Sequence, residues 1–370
     1  MRIGVPQESK VMEYRVGMIP DSVTSLTRKG HEVWLQTGAG QGSGFSDEDF
    51  EQAGAKIVDR KDAWSETDLV VKVKEPNTDE VALMHSGQVL FTYLHLAANR
   101  DLAEGLCKAN VNSLAYETIQ NPDGSFPVLA PMSEVAGRLA TQIGVGFLQK
   151  DRGGKGILLG GVPGVARGRV VVIGAGTVGI NAARVAHALG AEVNVFDIDL
   201  KRLTYIYDIF HGEISTLYAD TANIERSVAQ ADLVVGAVYV NGRRAPTLVT
   251  DAMVQKMTPG SVIVDVAVDQ GGCVETIHPT THADPTYLVH EVIHYGVANM
   301  PGAVPQTSTR ALTNTTLPFI EQIATKGAET AIKESPALAL GANVWSGRIV
   351  HSGVAASLGL EVGPLPNGKP

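Results

Sequence analysis

The sequence has few cysteines, few aromatic residues and no long hydrophobic run. Its two cysteines, Cys107 and Cys273, are too few for a disulfide-stabilised fold and lie too far apart for a CxxC metal motif. No stretch reaches the roughly 18 consecutive apolar residues that suggest a membrane-spanning helix. The opening MRIGVPQESK also lacks the apolar segment of a secretion signal. These absences predict a protein of the reducing cytoplasm.

Basic residues are fewer than acidic ones, with 30 Lys and Arg against 39 Asp and Glu, which gives a net charge of -9. This balance argues against general nucleic-acid binding. The ten histidines form no HxH or HExxH pattern, so no metal site is predicted. What remains is a Gly-rich chain, with 40 Gly in 370 residues, whose length predicts two domains.

Short apolar runs alternate with stretches of helical periodicity, which predicts βαβ units and an α/β fold. We expect two Rossmann-like domains, each with a mainly parallel sheet. The predicted strands are Arg2–Val5, Glu32–Gln36, Asp68–Lys74, Gln88–Leu94, Val111–Ala115, Arg169–Ile173, Glu192–Phe196, Leu233–Val238 and Ser261–Val266. The predicted helices are Asp21–Lys29, Asp47–Gly54, Asn99–Ala109, Ser133–Leu148, Val178–Leu189 and Lys201–Phe210.

The last part of the chain differs in pattern from the rest. A polar-to-helical stretch runs from Thr307 to Gly327, and no new series of strands follows it. We therefore predict a tail without a sheet of its own, packed on an earlier domain.

A glycine-rich turn follows the strand Arg169–Ile173 directly. It reads Gly174-Ala-Gly176-Thr-Val-Gly179 and runs into a helix, which is the context that a dinucleotide fingerprint requires. In that fingerprint the first glycine makes the tight turn, the second lets the backbone approach a pyrophosphate, and the third packs helix against strand. The unpaired N–H groups of the helix N-terminus would then bind the phosphates.

An acidic residue ends the next strand, at Asp197. A carboxylate at this position accepts a hydrogen bond from a ribose 2′-hydroxyl and repels a 2′-phosphate. The sequence therefore predicts NAD as the cofactor, in preference to NADP.

Polar residues end several of the apolar runs, where ligands bind in parallel α/β sheets. Lys74 and His95 end runs in the first part of the chain, and Asp269 ends the run that begins at Ser261. Asn299 and Met300 follow the run 292–298. A cation, an imidazole and a carboxylate beside a nicotinamide are typical of an amino- or hydroxy-acid dehydrogenase, with its active site in a cleft between the domains.

The chain resembles the bacterial L-alanine dehydrogenase family in these and other motifs. Seven motifs carry the resemblance, in the order of the family, from the first residue to roughly position 345. They are Arg15-Val-Gly-Met-Ile-Pro20, Lys72-Val-Lys-Glu-Pro76, Thr92-Tyr-Leu-His-Leu96, Ala130-Pro-Met-Ser-Glu-Val-Ala-Gly-Arg138, Gly160-Gly-Val-Pro-Gly164, Asp269-Gln-Gly-Gly-Cys273 and Val297-Ala-Asn-Met-Pro301. The NAD-binding subunit of proton-translocating transhydrogenase is a relative of this family.

The resemblance implies reversible, NAD-dependent oxidative deamination of L-alanine to pyruvate and ammonia. It implies that Arg15 and Lys74 bind the substrate and that His95 and Asp269 are catalytic. The expected cofactor contacts are Ser133, Gly174, Gly176, Thr177, Val178, Gly179, Asp197, Arg202, Val238, Tyr239, Val266, Ala267, Val268, Asp269, Val297, Ala298, Asn299 and Met300.

The resemblance also implies a discontinuous substrate domain, 1–128 plus 307–370, around an NAD-binding domain, 129–306. Members of the family are commonly hexamers, so we expect a homo-oligomer. One departure is visible: Tyr218-Ala-Asp220 stands where members often carry a serine against the adenosine.

Two other functions are compatible with the residues. An opine- or saccharopine-type dehydrogenase would use an amino acid as amine donor in place of ammonia. A nucleotide-binding subunit would bind NAD(H) without deaminating anything. Without the resemblance, the residues alone indicate an NAD-dependent amino- or hydroxy-acid dehydrogenase.

Overall fold

The computed structural model describes residues 1–238, 245–268 and 271–366. The chain divides into two compact units, one of Met1–Met132 with Gly302–Pro370 and the other of Ser133–Pro301. These bounds differ by a few residues from the predicted domains, 1–128 plus 307–370 and 129–306. The domain boundaries and the cleft between the domains stay predictions.

Strands are distributed along both units. In chain order they are β1 (Arg2–Val5), β2 (Glu32–Gln36), β3 (Lys56–Val58), β4 (Leu69–Val71), β5 (Val89–Thr92), β6 (Asn112–Ala115), β7 (Arg169–Ile173), β8 (Glu192–Asp197), β9 (Ser215–Tyr218), β10 (Leu233–Gly236), β11 (Val262–Asp265), β12 (Thr286–Val289), β13 (Val292–Tyr295), β14 (Ala342–Trp345) and β15 (Arg348–Ile349).

Helices connect most of these strands. They are α1 (Pro20–Arg28), α2 (Asp47–Gln52), α3 (Arg60–Ser65), α4 (Thr78–Val81), α5 (Arg100–Lys108), α6 (Ala130–Phe147), α7 (Thr177–Ala188), α8 (Leu200–Ile209), α9 (Thr221–Ala229), α10 (Asp251–Val254), α11 (Pro305–Lys326), α12 (Ala328–Glu334), α13 (Pro336–Gly341) and α14 (Ser352–Leu358). Within the described residues, no helix is both long and apolar enough to cross a membrane.

The first unit contains an eight-stranded sheet in the order β15-β14-β6-β5-β4-β1-β2-β3. Strands β1 to β6 pair in parallel, and every residue of β4 and β5 is buried. The chain passes from β3 back to β4, which lies beside β1. The loops after β1 and β4 therefore diverge at a switch point, where ligands bind in doubly wound sheets.

The tail does contribute strands, so the prediction that no strands follow Gly327 was wrong, but these strands join the first sheet and form no sheet of their own. Strand β14 pairs antiparallel with β6, and β15 pairs antiparallel with β14. The sequence of β14, Ala-Asn-Val-Trp, carries little intrinsic strand preference. Its conformation comes from pairing with a strand more than 200 residues earlier, which local pattern does not reveal.

The second unit contains a seven-stranded sheet in the order β12-β13-β11-β10-β7-β8-β9. All neighbours pair in parallel except β12 and β13. Leaving out the antiparallel edge strands, both sheets have the Rossmann order 3-2-1-4-5-6. The switch point of this unit lies between β7 and β10, and the fingerprint turn leaves from β7. The predicted α/β class with two mainly parallel sheets is confirmed.

The predicted strands all form, but only some of them have the predicted bounds. Strands β1, β2 and β7 have the predicted bounds, whereas β4 ends at Val71 rather than Lys74. Hydrogen bonding nevertheless continues past that end, since Lys72 N–H donates to the Phe91 carbonyl (3.1 Å) and Tyr93 N–H to the Val73 carbonyl (3.1 Å). The short edge strands β3, β9 and β12 were not predicted, because their sequences are only partly apolar.

Candidate functional site

Arg15 lies in the long loop after β1 and is buried, with 2% of its surface exposed. Glu13 binds it with two parallel bonds, Nε to Oε1 at 2.7 Å and Nη2 to Oε2 at 2.6 Å. Nη1 lies 3.3 Å from Met132 Sδ. Burial opposes the charge, but the bonds to Glu13 prevail and raise the pKa of Arg15. The guanidinium is therefore fixed in place as a permanent cation, and its planar shape suits a carboxylate.

Lys74 follows β4 and is half-buried. Burial, and then repulsion from Arg15, lower the pKa of Lys74. The two cations thus lie close enough to repel each other, as expected of groups that bind one anion. The chain leading to Lys74 is held by the carboxylate of Glu8, which accepts from Val73 N–H (2.7 Å) and Lys74 N–H (3.4 Å).

His95 follows β5 and its backbone is left-handed, with φ 51° and ψ 35°. Such angles are uncommon for residues other than glycine. Glu117 accepts hydrogen bonds from His95 N–H (2.7 Å) and Leu94 N–H (3.2 Å), which holds this turn. The imidazole stacks on the buried Tyr93 ring at 5.9 Å, and its Nδ1 lies 3.4 Å from Glu75 Oε2. The side chain is 48% exposed, so it can reach a ligand.

Tyr93 connects this histidine to the arginine. Its hydroxyl donates to the Val128 carbonyl at 2.8 Å, and burial raises the pKa of Tyr93 even though the Arg15 charge lowers it. The phenol is therefore neutral. The structure thus brings Arg15, Lys74, Tyr93 and His95 together at the carboxyl edge of the first sheet.

Four carboxylates around this site were missed by sequence reasoning: Glu8, Glu13, Glu75 and Glu117. Each holds a predicted residue or the chain beside it. Glu75 directly follows Lys74, and Glu13 lies two residues before Arg15, so proximity in the sequence is a usable signal for both. Glu8 lies in a loop and Glu117 in the short 3-10 turn after β6, and only the tertiary fold places these two.

The fingerprint turn has the geometry that its three glycines predict. Gly174 has φ 105°, and a Cβ there would lie 2.6 Å from the Ala237 carbonyl oxygen. A Cβ at Gly179 would lie 1.8 Å from the Gly174 carbonyl oxygen. A Cβ at Gly176 would meet nothing within 4 Å, so this backbone is open to a ligand. Helix α7 has no side-chain cap, and its first N–H groups can bind phosphate.

Asp197 ends β8 and is bound to the fingerprint turn itself. Its Oδ2 accepts from Ala175 N–H at 2.7 Å, and its Oδ1 accepts from Asp199 N–H at 2.9 Å. The side chain is 8% exposed, with Arg202 Nη1 at 3.6 Å from Oδ2. The carboxylate thus has a structural role beside its predicted contact with ribose.

The remaining predicted cofactor residues lie where strands of the second sheet end. Val238 follows β10, while Val266, Ala267 and Val268 follow β11. Val297, Ala298, Asn299 and Met300 follow β13, Ser133 lies on α6, and Thr177 and Val178 open α7. Tyr239 and the predicted catalytic residue Asp269 lie outside the described residues.

The loop that leads to Asp269 is fixed at its base by Asp265. This buried carboxylate accepts from Ala267 N–H (2.9 Å), Cys273 N–H (2.8 Å) and Val274 N–H (3.2 Å). Burial raises the pKa of Asp265, although these bonds lower it. Asp265 therefore joins the two ends of the loop, and sequence reasoning missed it because it reads as part of an apolar strand.

Tyr218 and Asp220 occupy the position at which the chain departs from the family. Tyr218 is 50% exposed, and Asp220 caps α9 by accepting from Asn223 N–H at 2.8 Å. Among the described residues, no group of three or more His, Cys, Asp or Glu is arranged to hold a metal ion.

Comparison with known proteins assigns the chain to a family. Residues 4–136 match the sequence model of the alanine dehydrogenase/PNT N-terminal domain, and residues 140–352 match that of the C-terminal domain. The chain belongs to the alanine dehydrogenase/PNT family. An alanine dehydrogenase of Bacillus subtilis (strain 168) is 53% identical over 366 residues, which is 98% of this chain and 96% of that protein.

Solved structures give the same result. An L-alanine dehydrogenase structure matches with a TM-score of 0.95 at 53% identity, over 97% of this chain and 99% of that one. A transhydrogenase structure from Sinorhizobium meliloti matches with a TM-score of 0.83 at 25% identity, over 95% and 99%. The predicted oxidoreductase of the alanine dehydrogenase type, with a Rossmann-type nucleotide fold, is thereby confirmed.

Proposed function

We propose that this chain catalyses the reversible, NAD-dependent oxidative deamination of L-alanine to pyruvate and ammonia. The observation that carries the proposal is the grouping of Arg15, Lys74 and His95 at one sheet edge, in a member of this family. Two cations suit the carboxylate of a small 2-amino acid, and an imidazole suits the proton transfers of deamination.

The second unit supports NAD as the cofactor. Gly176 is open, α7 offers unpaired N–H groups, and Asp197 ends the second strand of the fold. These are the features by which a Rossmann fold binds a pyrophosphate and a ribose, so the described residues fit the group. When bound, the nicotinamide accepts the hydride that leaves Cα of alanine.

The substrate is bound in an orientation that Arg15 and Lys74 determine. Glu13 fixes the guanidinium, and Glu8 fixes the backbone of Lys74, so both cations are positioned before the substrate arrives. Such preorganisation lowers the cost of reaching a reactive geometry. With its carboxylate bound here, the amino acid is held in place for the reaction.

His95 and Asp269 carry out the proton transfers in this proposal. Loss of hydride from alanine leaves an iminium ion, which the Asp269 carboxylate stabilises. Water then adds to the imine carbon, and His95 takes a proton from that water and later exchanges protons with the carbinolamine oxygen as ammonia departs. The products are pyruvate, ammonia and the reduced cofactor, and general acid–base catalysis of this kind contributes about 10²–10⁴-fold.

Three further properties belong to the proposal. Asp197 favours NAD over NADP, because its carboxylate repels a 2′-phosphate. The family suggests a homo-oligomer, and specifically a hexamer. The cytoplasm is the proposed location, since both cysteines are free thiols.

The proposal is tested by the absorbance of NADH as it forms from L-alanine and NAD. We expect rapid reduction with L-alanine and NAD, and much slower reduction with NADP, L-serine or L-lactate. In the reverse direction, pyruvate with ammonia should exceed pyruvate with lysine or ornithine. NADH binding without any alanine-dependent reduction would overturn the proposal in favour of a binding subunit, the role that the likeness to a transhydrogenase suggests. Faster turnover with lysine or ornithine would point to an opine-type enzyme.

A further inference from the structure

Glu75 lies between Lys10 and His95, and each of its carboxylate oxygens has a different partner. Oε1 accepts from Lys10 Nζ, while Oε2 lies 3.4 Å from His95 Nδ1. The Glu75 side chain is 16% exposed and that of Lys10 is 45% exposed. Burial works against ionisation, but the bonds from His95 and then Lys10 lower the pKa of Glu75 to about 2. The carboxylate is therefore charged throughout the range in which enzymes are assayed.

The contact with Nδ1 determines which nitrogen of His95 can take part in chemistry. A carboxylate beside Nδ1 favours the tautomer with the proton on that nitrogen, and so leaves Nε2 to accept a proton. The same arrangement orients the histidine of serine proteases. Here the backbone of His95 is held separately, by Glu117, so the two carboxylates have distinct roles.

We propose that Glu75 is a positioning residue for the deamination reaction: it orients the imidazole of His95, keeps the proton on Nδ1 and makes Nε2 the base. The inference rests on the proposed function for its kinetic consequences, but the tautomer and the charge effect do not depend on turnover. Lys10 has the secondary role of holding Glu75 in place.

Other charged and titratable groups around His95 do not replace Glu75. They are Lys10, Lys74, Tyr93, Glu117 and His351. Glu117 uses its oxygens on backbone N–H groups, and Tyr93 donates its hydroxyl to a carbonyl. Within the part of the chain that the structure describes, only Glu75 places a carboxylate against the imidazole ring of His95.

The kinetic test replaces the carboxylate by an amide of the same shape. In Glu75→Gln we expect kcat for alanine oxidation to fall at least about 10-fold, the lower end of the range for losing a carboxylate that orients a metal-binding histidine. The affinity for NADH should change by less than about threefold, because the fingerprint is untouched. KM for alanine should change by less than kcat does, because Arg15 is untouched and the Glu75 charge is a smaller influence on the pKa of Lys74 than burial is. Glu75→Asp retains the charge and should recover part of kcat.

The pH profile separates this role from a merely structural one. Removing a negative charge disfavours the protonated imidazole, so the acid limb of the kcat profile should move to lower pH in Glu75→Gln. The matched control is Glu104→Gln, which removes an exposed carboxylate from α5 in the same unit and should change neither kcat nor the profile.

A second measurement does not need catalysis. Diethyl pyrocarbonate modifies neutral imidazole, and the exposed His95 is accessible to it. The pH midpoint of modification at His95, followed by peptide mass spectrometry, should fall in Glu75→Gln and stay near the wild-type value in Glu75→Asp. The exposed His211 of the second unit is the internal control. An unchanged midpoint, or a kcat equal to that of Glu104→Gln, would overturn the inference. Absence of alanine oxidation by the wild type would instead overturn the proposed function, with the modification result still deciding the role of Glu75.

Discussion

The buried cation Lys72 offers the sharpest test of how the candidate site at the edge of the first sheet is held together. Lys72 has no exposed surface, and its Nζ lies 2.6 Å from Glu8 Oε2 and 3.7 Å from Glu80 Oε2. Both carboxylates are about 1% exposed. Replacing Lys72 with Met removes the charge at nearly constant size. Breaking a buried pair on one side costs about 3–5 kcal/mol in unfolding free energy.

The cost should depend on pH, because Glu8 can take up a proton once its counter-charge is gone. Burial already raises the pKa of Glu8 from its usual 4.5, even though Lys72 lowers it. Each pH unit above that value costs about 1.4 kcal/mol for protonation, which limits the deficit to about 5 kcal/mol at pH 8 and about 2 kcal/mol at pH 6. A carboxyl with a raised pKa favours the folded state at low pH and loses that effect as pH rises, so the deficit must grow with pH.

Urea unfolding followed by tryptophan fluorescence measures this effect in the first unit. All three tryptophans, Trp34, Trp64 and Trp345, lie in that unit. With an m-value of about 2 kcal/mol per M, Lys72→Met should lower the urea midpoint by about 1.5–2.5 M at pH 8, and by about half as much at pH 6.

The matched control is Lys333→Met, on α12 of the same unit. Its Nζ lies 2.6 Å from Glu329 Oε1, but both side chains are exposed. An exposed pair of this kind contributes about 0.5 kcal/mol. If Lys72→Met and Lys333→Met gave equal shifts, or if the deficit of Lys72→Met shrank as pH rose, the reasoning from burial and charge would be refuted.

Three further predictions concern the cofactor and the substrate. Gly179→Ala should lower the melting temperature of the second unit and abolish NADH binding. Gly176→Ala should weaken NADH binding, measured by NADH fluorescence, and leave the unfolding free energy unchanged within about 0.5 kcal/mol. Equal melting temperatures for the two variants would contradict the geometry. Asp197→Ala should lower the ratio of kcat/KM for NAD over NADP by about tenfold or more, and an unchanged ratio would remove Asp197 from the ribose. Because the pKa of Lys74 is lowered from the usual lysine value of 10.5, KM for pyruvate should begin to rise at a pH below that value. The variant Lys74→Arg stays charged and should suppress that rise. The same rise in the wild type and in the variant would show that another group titrates.

The fingerprint could be predicted in detail because its chemistry is local. A tight turn, an open backbone and a close helix–strand contact each require glycine at a fixed spacing. The structure gives Gly174 a positive φ, leaves Gly176 open and packs Gly179 against the turn. By contrast, the bonds from Asp197 to the same turn join two strands and were not visible in the sequence.

The candidate site at the edge of the first sheet could be predicted only in part. Lys74 and His95 were found because each ends an apolar run, and Arg15 entered only through a family motif. Glu13 lies two residues from Arg15, but the carboxylate that holds His95, Glu117, follows a different strand, and no spacing connects the two. The prediction that no strands follow Gly327 failed for the same reason, since β14 forms by pairing with β6.

The sequence by itself determined the class of fold, the nucleotide turn and the cations and imidazole of the candidate site. Hydrophobic periodicity and glycine spacing are properties of neighbouring residues, so both can be recognised in the sequence alone. The tertiary structure alone decided how those groups are charged and oriented. Burial depends on segments far apart in the chain, and it influences whether Lys74 carries a proton. The left-handed backbone of His95 and the distance from its ring to Glu75 depend on such segments too, and they determine which nitrogen of His95 takes part in the chemistry.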